Sequence, residues 1–192
     1  MISHEHRCIF VKVPKTAGTS IASALRCEHL GPPHRDIVQI RDALAGIGRS
    51  ACLESYFKFG FVRNPWDRVV SLHCRKERGR TLGPPGFAEF VAWIENASDT
   101  CVHPTAHRNQ RDWFLDERGE VGVDFIGRFE NLAGDFRVIC GRLGIAPPPL
   151  PHEKRNASGR KHYTEYYTPA LRDIVAEKFR VDIEAFGYEF GA

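Results

Sequence analysis

The sequence predicts an α/β fold in which a parallel β-sheet is flanked by helices. Two observations carry this. Short apolar runs rich in β-branched and aromatic residues recur at residues 8–13, 56–62 and 123–129. Each is followed by a segment of helical periodicity, and strands that alternate with helices imply a parallel sheet covered on both faces.

The elements follow in order. "CIFVKV" (8–13) reads as a strand with Ile9, Val11 and Val13 on one face, and "TSIASALR" (19–26) as a helix with Ile21 and Leu25 four apart. "YFKFGFV" (56–62) is the second strand. Asn64-Pro65 then starts a helix: Asn64 can cap, Pro65 suits the first helical position and Asp67 sits in the first turn. Its pattern runs through Val69, Val70, Leu72 and Cys74 to about Gly79. "GRTLGPPG" (79–86) reads as a loop, "FAEFVAWIEN" (87–96) as an amphipathic helix and "VDFIGRF" (123–129) as the third strand. "NLAGDFRVICGRLG" (131–144) is a helix ending at a glycine, and residues 145–162 form a Pro-rich, then basic, loop. A last helix runs from Thr168 or Pro169 to about Phe179.

No repeat or long linker divides the chain, so its 192 residues are expected to form one domain, 1–192. With 42% hydrophobic and 27% charged residues the composition is that of a soluble globular protein. A net charge of +3 is too small to argue for nucleic acid as a partner. The 20 Arg against 7 Lys fit bidentate anion recognition, but a codon bias gives the same excess. Six scattered cysteines without a C-x-x-C pair favour a reducing compartment. The N-terminal apolar run spans six residues and is interrupted by Lys12, too short for a signal peptide or a transmembrane segment. The expectation is a cytoplasmic protein.

Two strand-to-helix turns carry the chemistry, since ligands in such folds bind at the carboxyl ends of the strands. In "KVPKTAGTS" (12–20), Lys15, Thr16, Ala17, Gly18, Thr19 and Ser20 offer a positive charge, hydroxyl donors and backbone N–H groups at a helix start. Such groups favour an anion, and Gly18 lets the backbone approach it. The Walker order differs, since there the Lys follows the Gly. In "FVRNPWDRVVSL" (61–72), Arg63 ends a strand and points into the same crevice, and Ser71 lies eight residues on. The two clasp one phosphate only if the helix runs back past Arg63. By spacing alone they read equally as a surface Arg and a small core Ser.

These two stretches, with "DFIGRFENLAGDF" and "YYTPALRDIVAEKFRVDIEAFGYEF", together resemble the carbohydrate-type sulfotransferase family, in a short bacterial-type form. The resemblance covers nearly the whole chain in order. It implies a P-loop kinase-like three-layer fold and transfer of a sulfuryl group from 3′-phosphoadenosine 5′-phosphosulfate (PAPS) to a hydroxyl acceptor, a saccharide or glycoconjugate. The product is adenosine 3′,5′-bisphosphate (PAP), and no metal is required. The first motif is similar to the family's 5′-phosphosulfate loop, where Lys15 would neutralise charge on the bridging oxygen. The second is similar to its 3′-phosphate motif, held by Arg63 and Ser71. A looser similarity puts Arg160 and Lys161 of the basic loop near the 3′-phosphate.

An acceptor hydroxyl must lose its proton as it attacks sulfur. Related sequences have a base His near the start of the segment after the first helix, which implies that role for His34, with His29 in reserve. His4 and His6 read as part of a terminal arm. His103 and His107 have ligand spacing, but no third ligand is evident. Two other classes stay open: a P-loop-like nucleotide kinase or NTPase, and a non-catalytic PAP-binding module. The first wants an acidic residue ending an apolar strand, whereas Asp124 precedes its run. The second needs neither Lys15 nor His34.

Overall fold

Residues 8–13 and 56–62 are apolar at nearly every position, which suits strands covered on both faces rather than one. A computed structural model describes residues 1–32, 34–74, 76–77, 80–81, 86–96, 108–150 and 161–191. In it the chain forms two compact units, one of Met1–Val62 with Asp112–Arg155 and one of Arg63–Arg111 with Asn156–Ala192.

The first unit is built on a four-stranded sheet. In chain order it contains β1 (Ile2–Ser3), β2 (Cys8–Val11), α1 (Gly18–Ala24), α2 (Ile37–Gly46), α3 (Ala51–Ser55) and β3 (Phe57–Val62). The second unit follows with α4 (Pro65–His73), β4 (Lys76–Glu77), β5 (Arg80–Thr81) and α5 (Phe87–Glu95). The chain then returns to the first unit for β6 (Phe125–Arg128) and α6 (Leu132–Leu143), and closes in the second with α7 (Pro169–Lys178) and α8 (Arg180–Phe186).

The sheet order is β1-β2-β3-β6. β2, β3 and β6 are parallel, as expected, with Val11 opposite Gly60 and Val62 opposite Arg128. The sheet as a whole is mixed, which corrects the expectation of an all-parallel one. β1 pairs antiparallel with β2, Ser3 opposite Cys8. Two residues are too few to show a period, so the segment reads as an arm although it is an edge strand. His4, on the turn after it, bonds through Nδ1 to the Tyr56 hydroxyl at 3.0 Å.

The alternation of β2 and β3 sends Cys8, Phe10, Phe59 and Phe61 to one face, where Ile21, Ala22 and Leu25 of α1 and Phe136, Ile139 and Cys140 of α6 meet them. Phe10 and Phe59 stack with centroids 5.1 Å apart. Each buried Phe stabilises the fold by about 1.5–3 kcal/mol through area removed from water. On the opposite face Phe114 lies over Gly60. All four residues of β2 are buried, in keeping with the expectation of a sheet covered on both faces.

In the second unit, α4 starts where its local signals place it. The Asn64 side chain accepts from the Trp66 N–H, and Pro65 opens the helix. The helix ends at His73 rather than near Gly79. The Cys74 N–H closes on the Val70 carbonyl, and Lys76–Glu77 then pairs antiparallel with Arg80–Thr81. α4 packs against α5 and α7. α7 begins on the Thr168 cap, and α8 follows it directly as a helix that the periodicity does not separate. Among the described residues no helix is long and apolar enough to cross a membrane. Five cysteines there are free thiols, of which Cys8 and Cys140 are core residues.

Candidate active site

In the first unit, residues 12–17 join β2 to α1, whose first residues are Gly18, Thr19 and Ser20. Lys15 and Ala17 both have positive φ, 71° and 62°, a conformation that costs about 1–2 kcal/mol for a residue with a Cβ. A bond within the loop braces the residue between them. The Thr16 side chain is fully buried and its hydroxyl donates to the Val13 carbonyl at 2.9 Å. Thr16 thus anchors the loop with its hydroxyl, leaving its backbone N–H as the group to offer an anion. Ala17 sits at the cap position of α1 and supplies no side-chain cap. The first N–H groups of the helix, on Gly18, Thr19 and Ser20, are donors of the kind an anion satisfies.

Gly18 is required by its neighbour. A Cβ there would lie 2.6 Å from Lys12 Cγ and 3.0 Å from Lys12 Cε. The Lys12 side chain therefore lies across the start of α1, bringing a second lysine to the loop. The sequence reading did not single out Lys12, and nothing local marks it.

His34 meets the same loop. Its Nδ1 is 3.0 Å from the Lys12 carbonyl oxygen, and its ring stands edge-on to Trp113 with centroids 6.4 Å apart. A carbonyl only accepts, so Nδ1 carries the hydrogen and, in the neutral ring, the basic lone pair lies on Nε2. The segment is fixed two residues on, where Asp36 and Gln39 form a reciprocal capping box at the start of α2. His29, by contrast, is exposed and adjoins Glu28, which bridges Ile2. His34 contacts the backbone of the loop at Lys12.

In the second unit, Arg63 directly follows β3 and is buried, 7% exposed. Its Nε and Nη2 donate to Asp67 Oδ2 at 2.7 and 2.6 Å. Asp67 and Ser71 are four apart on α4 and so share a helix face. The Arg63 guanidinium thus sits at Asp67, which precedes Ser71 by one turn of α4. Ser71 is 5% exposed. Trp66 is a packing residue, edge-on to Phe190 at 5.5 Å with its Nε1–H on the Arg172 carbonyl.

Behind Arg63 lies a buried polar network that the sequence reading missed. The Gln110 side chain accepts from the Arg63 N–H at 2.9 Å and donates to the Arg63 carbonyl at 2.7 Å. Asp182 accepts from the N–H groups of Gln110 and Arg111 at 2.7 and 2.9 Å. Arg68, fully buried, donates to the Arg108 carbonyl at 3.2 Å and lies over the Phe179 ring. Burial lowers the Arg68 guanidinium to about 10, with the Asp182 charge opposing. Burial likewise raises the Asp182 carboxyl, against its backbone N–H bonds and Arg68.

Of the basic loop, Lys161 is exposed before the Tyr163–Tyr166 turn, while Arg160 lies outside the described residues, as do His103 and His107. Arg128 closes β6, and its N–H donates to Asp135 at 2.6 Å. Asp124 is occupied at the start of that strand, where it accepts from the Lys58 N–H at 2.7 Å and pairs with the Lys58 ammonium at 3.2 Å.

Comparison with known proteins is specific. Residues 1–189 match the family model described as "Sulfotransferase family". A protein of Archaeoglobus fulgidus, described only as uncharacterized, is 33% identical over 94 residues, which make up 48% of this chain and 71% of that protein.

Proposed function

The chain belongs to the sulfotransferase family, and from that premise we propose that it moves a sulfuryl group from PAPS to a hydroxyl acceptor, a saccharide or glycoconjugate. Membership makes it a transferase. The donor, the acceptor class and the residue roles are our reading, as are one catalytic domain, a P-loop kinase-like kinship of the fold and a cytoplasmic location. The observation that carries the mechanism is the His34 contact with Lys12. It brings a ring whose lone pair lies on Nε2 to the loop that bears Lys15.

In this reading His34 Nε2 accepts the proton of the acceptor hydroxyl as its oxygen attacks sulfur. The bond from sulfur to the bridging phosphate oxygen breaks in line, and Lys15 meets the negative charge that grows there. The backbone N–H groups of Thr16 to Ser20 and the hydroxyls of Thr19 and Ser20 bind the 5′-phosphosulfate, with Gly18 allowing the approach. Arg63 and Ser71 take the 3′-phosphate, Asp67 holding the guanidinium fork in one orientation. Arg160 and Lys161 add charge toward the same phosphate. Fixed cations and N–H dipoles supply the electrostatics, so the reading assigns no role to a metal.

A nucleotide kinase is the second reading. It would place an acidic residue at the end of a strand for Mg²⁺, whereas Asp124 holds Lys58 at the beginning of one. A non-catalytic PAP-binding module is the third, and it leaves the His34 contact unexplained. Calorimetry with PAP, AMP and ATP separates them. The expected result is PAP bound far more tightly than AMP without added Mg²⁺. Equal affinities, or binding of ATP that depends strictly on Mg²⁺, would move the chain to the kinase reading.

A further inference from the structure

We infer that Gln110 is a positioning residue for Arg63, and that its seat on Asp182 sets how strongly the protein prefers a nucleotide carrying a 3′-phosphate. The inference rests on the reading of Arg63 given above and goes beyond it to residues that touch no nucleotide.

Arg63 stands one residue past the end of β3. A strand residue is normally fixed by ladder bonds to its N–H and C=O. At Arg63 one side-chain amide supplies both, Gln110 Oε1 at 2.9 Å and Nε2 at 2.7 Å. This reciprocal pair is what a paired strand residue would give, so the backbone that launches the Arg63 side chain stays as defined as the strand before it. The guanidinium is held separately by Asp67. Arg63 is therefore fixed at its root and at its tip.

Gln110 is itself fixed. It is fully buried, its N–H donates to Asp182 Oδ2 at 2.7 Å, and its Nε2 reaches the same oxygen at 3.3 Å. Asp182 Oδ1 takes the neighbouring Arg111 N–H. Asp182 is also fully buried on α8, and the fully buried Arg68 offsets its charge. Burying an amide and two charges is costly, and apolar residues of similar volume often hold a fold as well or better. What apolar residues cannot do is hold both polar groups of one backbone unit in a fixed direction. That constraint matters at a residue whose fork must meet a phosphate, because misplacement of about 1 Å in a binding group is felt strongly.

The test is the ratio of PAP to AMP affinity, measured by calorimetry on the full chain. The two ligands differ by the 3′-phosphate alone. Gln110→Met keeps the length and bulk of the side chain and removes the amide. The expected result is a PAP affinity reduced about tenfold or more with AMP affinity unchanged, and a melting transition that remains cooperative. A role in folding alone would lower both affinities together, or neither, and either outcome overturns the inference. Should Gln110→Met not fold, Asp182→Asn serves in its place, since it leaves the amide present and loosens its seat. A smaller but still selective loss for PAP supports the inference, and an unchanged ratio overturns it. A wild-type chain that binds PAP and AMP equally would instead remove the reading of Arg63 from which the inference starts.

Discussion

His34→Asn separates a base from a loop support. In the wild type the Nδ1–H donates to the Lys12 carbonyl at 3.0 Å, so the ring's lone pair lies on Nε2. An Asn amide reaches from the same Cβ to about the position of Nδ1 and can keep that bond, but it carries no base. His34→Ala loses both. The bond to Lys12 is a neutral one, worth about 0.5–1.5 kcal/mol net, so its loss alone can slow the reaction by no more than about tenfold. General base catalysis is worth about 10²–10⁴-fold. The two roles therefore differ in scale. His34→Asn should bind PAP as the wild type does and transfer sulfuryl about 10²–10⁴-fold more slowly. His34→Ala should be at most about tenfold worse again. The assay is PAP release in single turnovers across pH, after a screen of sugar and phenol hydroxyls has found an acceptor. The wild-type rate should fall at acid pH as the base protonates, and both variants should lack that limb. Transfer by His34→Asn at the wild-type rate, with the acid limb intact, would refute the assignment and send the search to His29.

Lys15→Ala should lower the single-turnover rate by a larger factor than it weakens PAP binding, since the charge it meets grows only as the bond breaks; equal losses would make Lys15 a ground-state contact. Arg63→Ala should weaken PAP by roughly 1.5–3 kcal/mol and leave AMP unchanged, the scale of a hydrogen bond to a charged group. Arg63→Lys keeps a charge for Asp67, which is 16% exposed in its side chain, but loses the two-pronged fork, so it should restore stability more fully than PAP affinity in urea unfolding and calorimetry. Gly60→Ala would drive a methyl into Phe114 and to 3.0 Å from the Val11 carbonyl, and should cost about 1–3 kcal/mol in urea unfolding. An unchanged midpoint there would mean that Phe114 can move off the sheet.

By itself, the sequence determined what rests on neighbours along the chain. Asn64-Pro65 starts α4, Thr168-Pro169 starts α7, and the glycine at 144 ends α6, because a cap satisfies N–H or C=O groups within a few residues of itself. The three parallel strands were legible from runs of β-branched and aromatic residues, and the loop of residues 12–20 from the density of donors around Gly18. Tertiary structure decided the rest. β1 forms by pairing with β2 and bridging Glu28, and past the end of α4 at His73 Lys76–Glu77 pairs with Arg80–Thr81, which no local signal marks. His34 gains its tautomer from a carbonyl 22 residues away. The group that fixes Arg63 comes from 47 residues along the chain and is seated on an aspartate 72 residues further on. No period or motif encodes such pairs, since a buried polar group is satisfied by whatever the fold brings within about 3 Å of it, and that distance is set only when the whole interior closes.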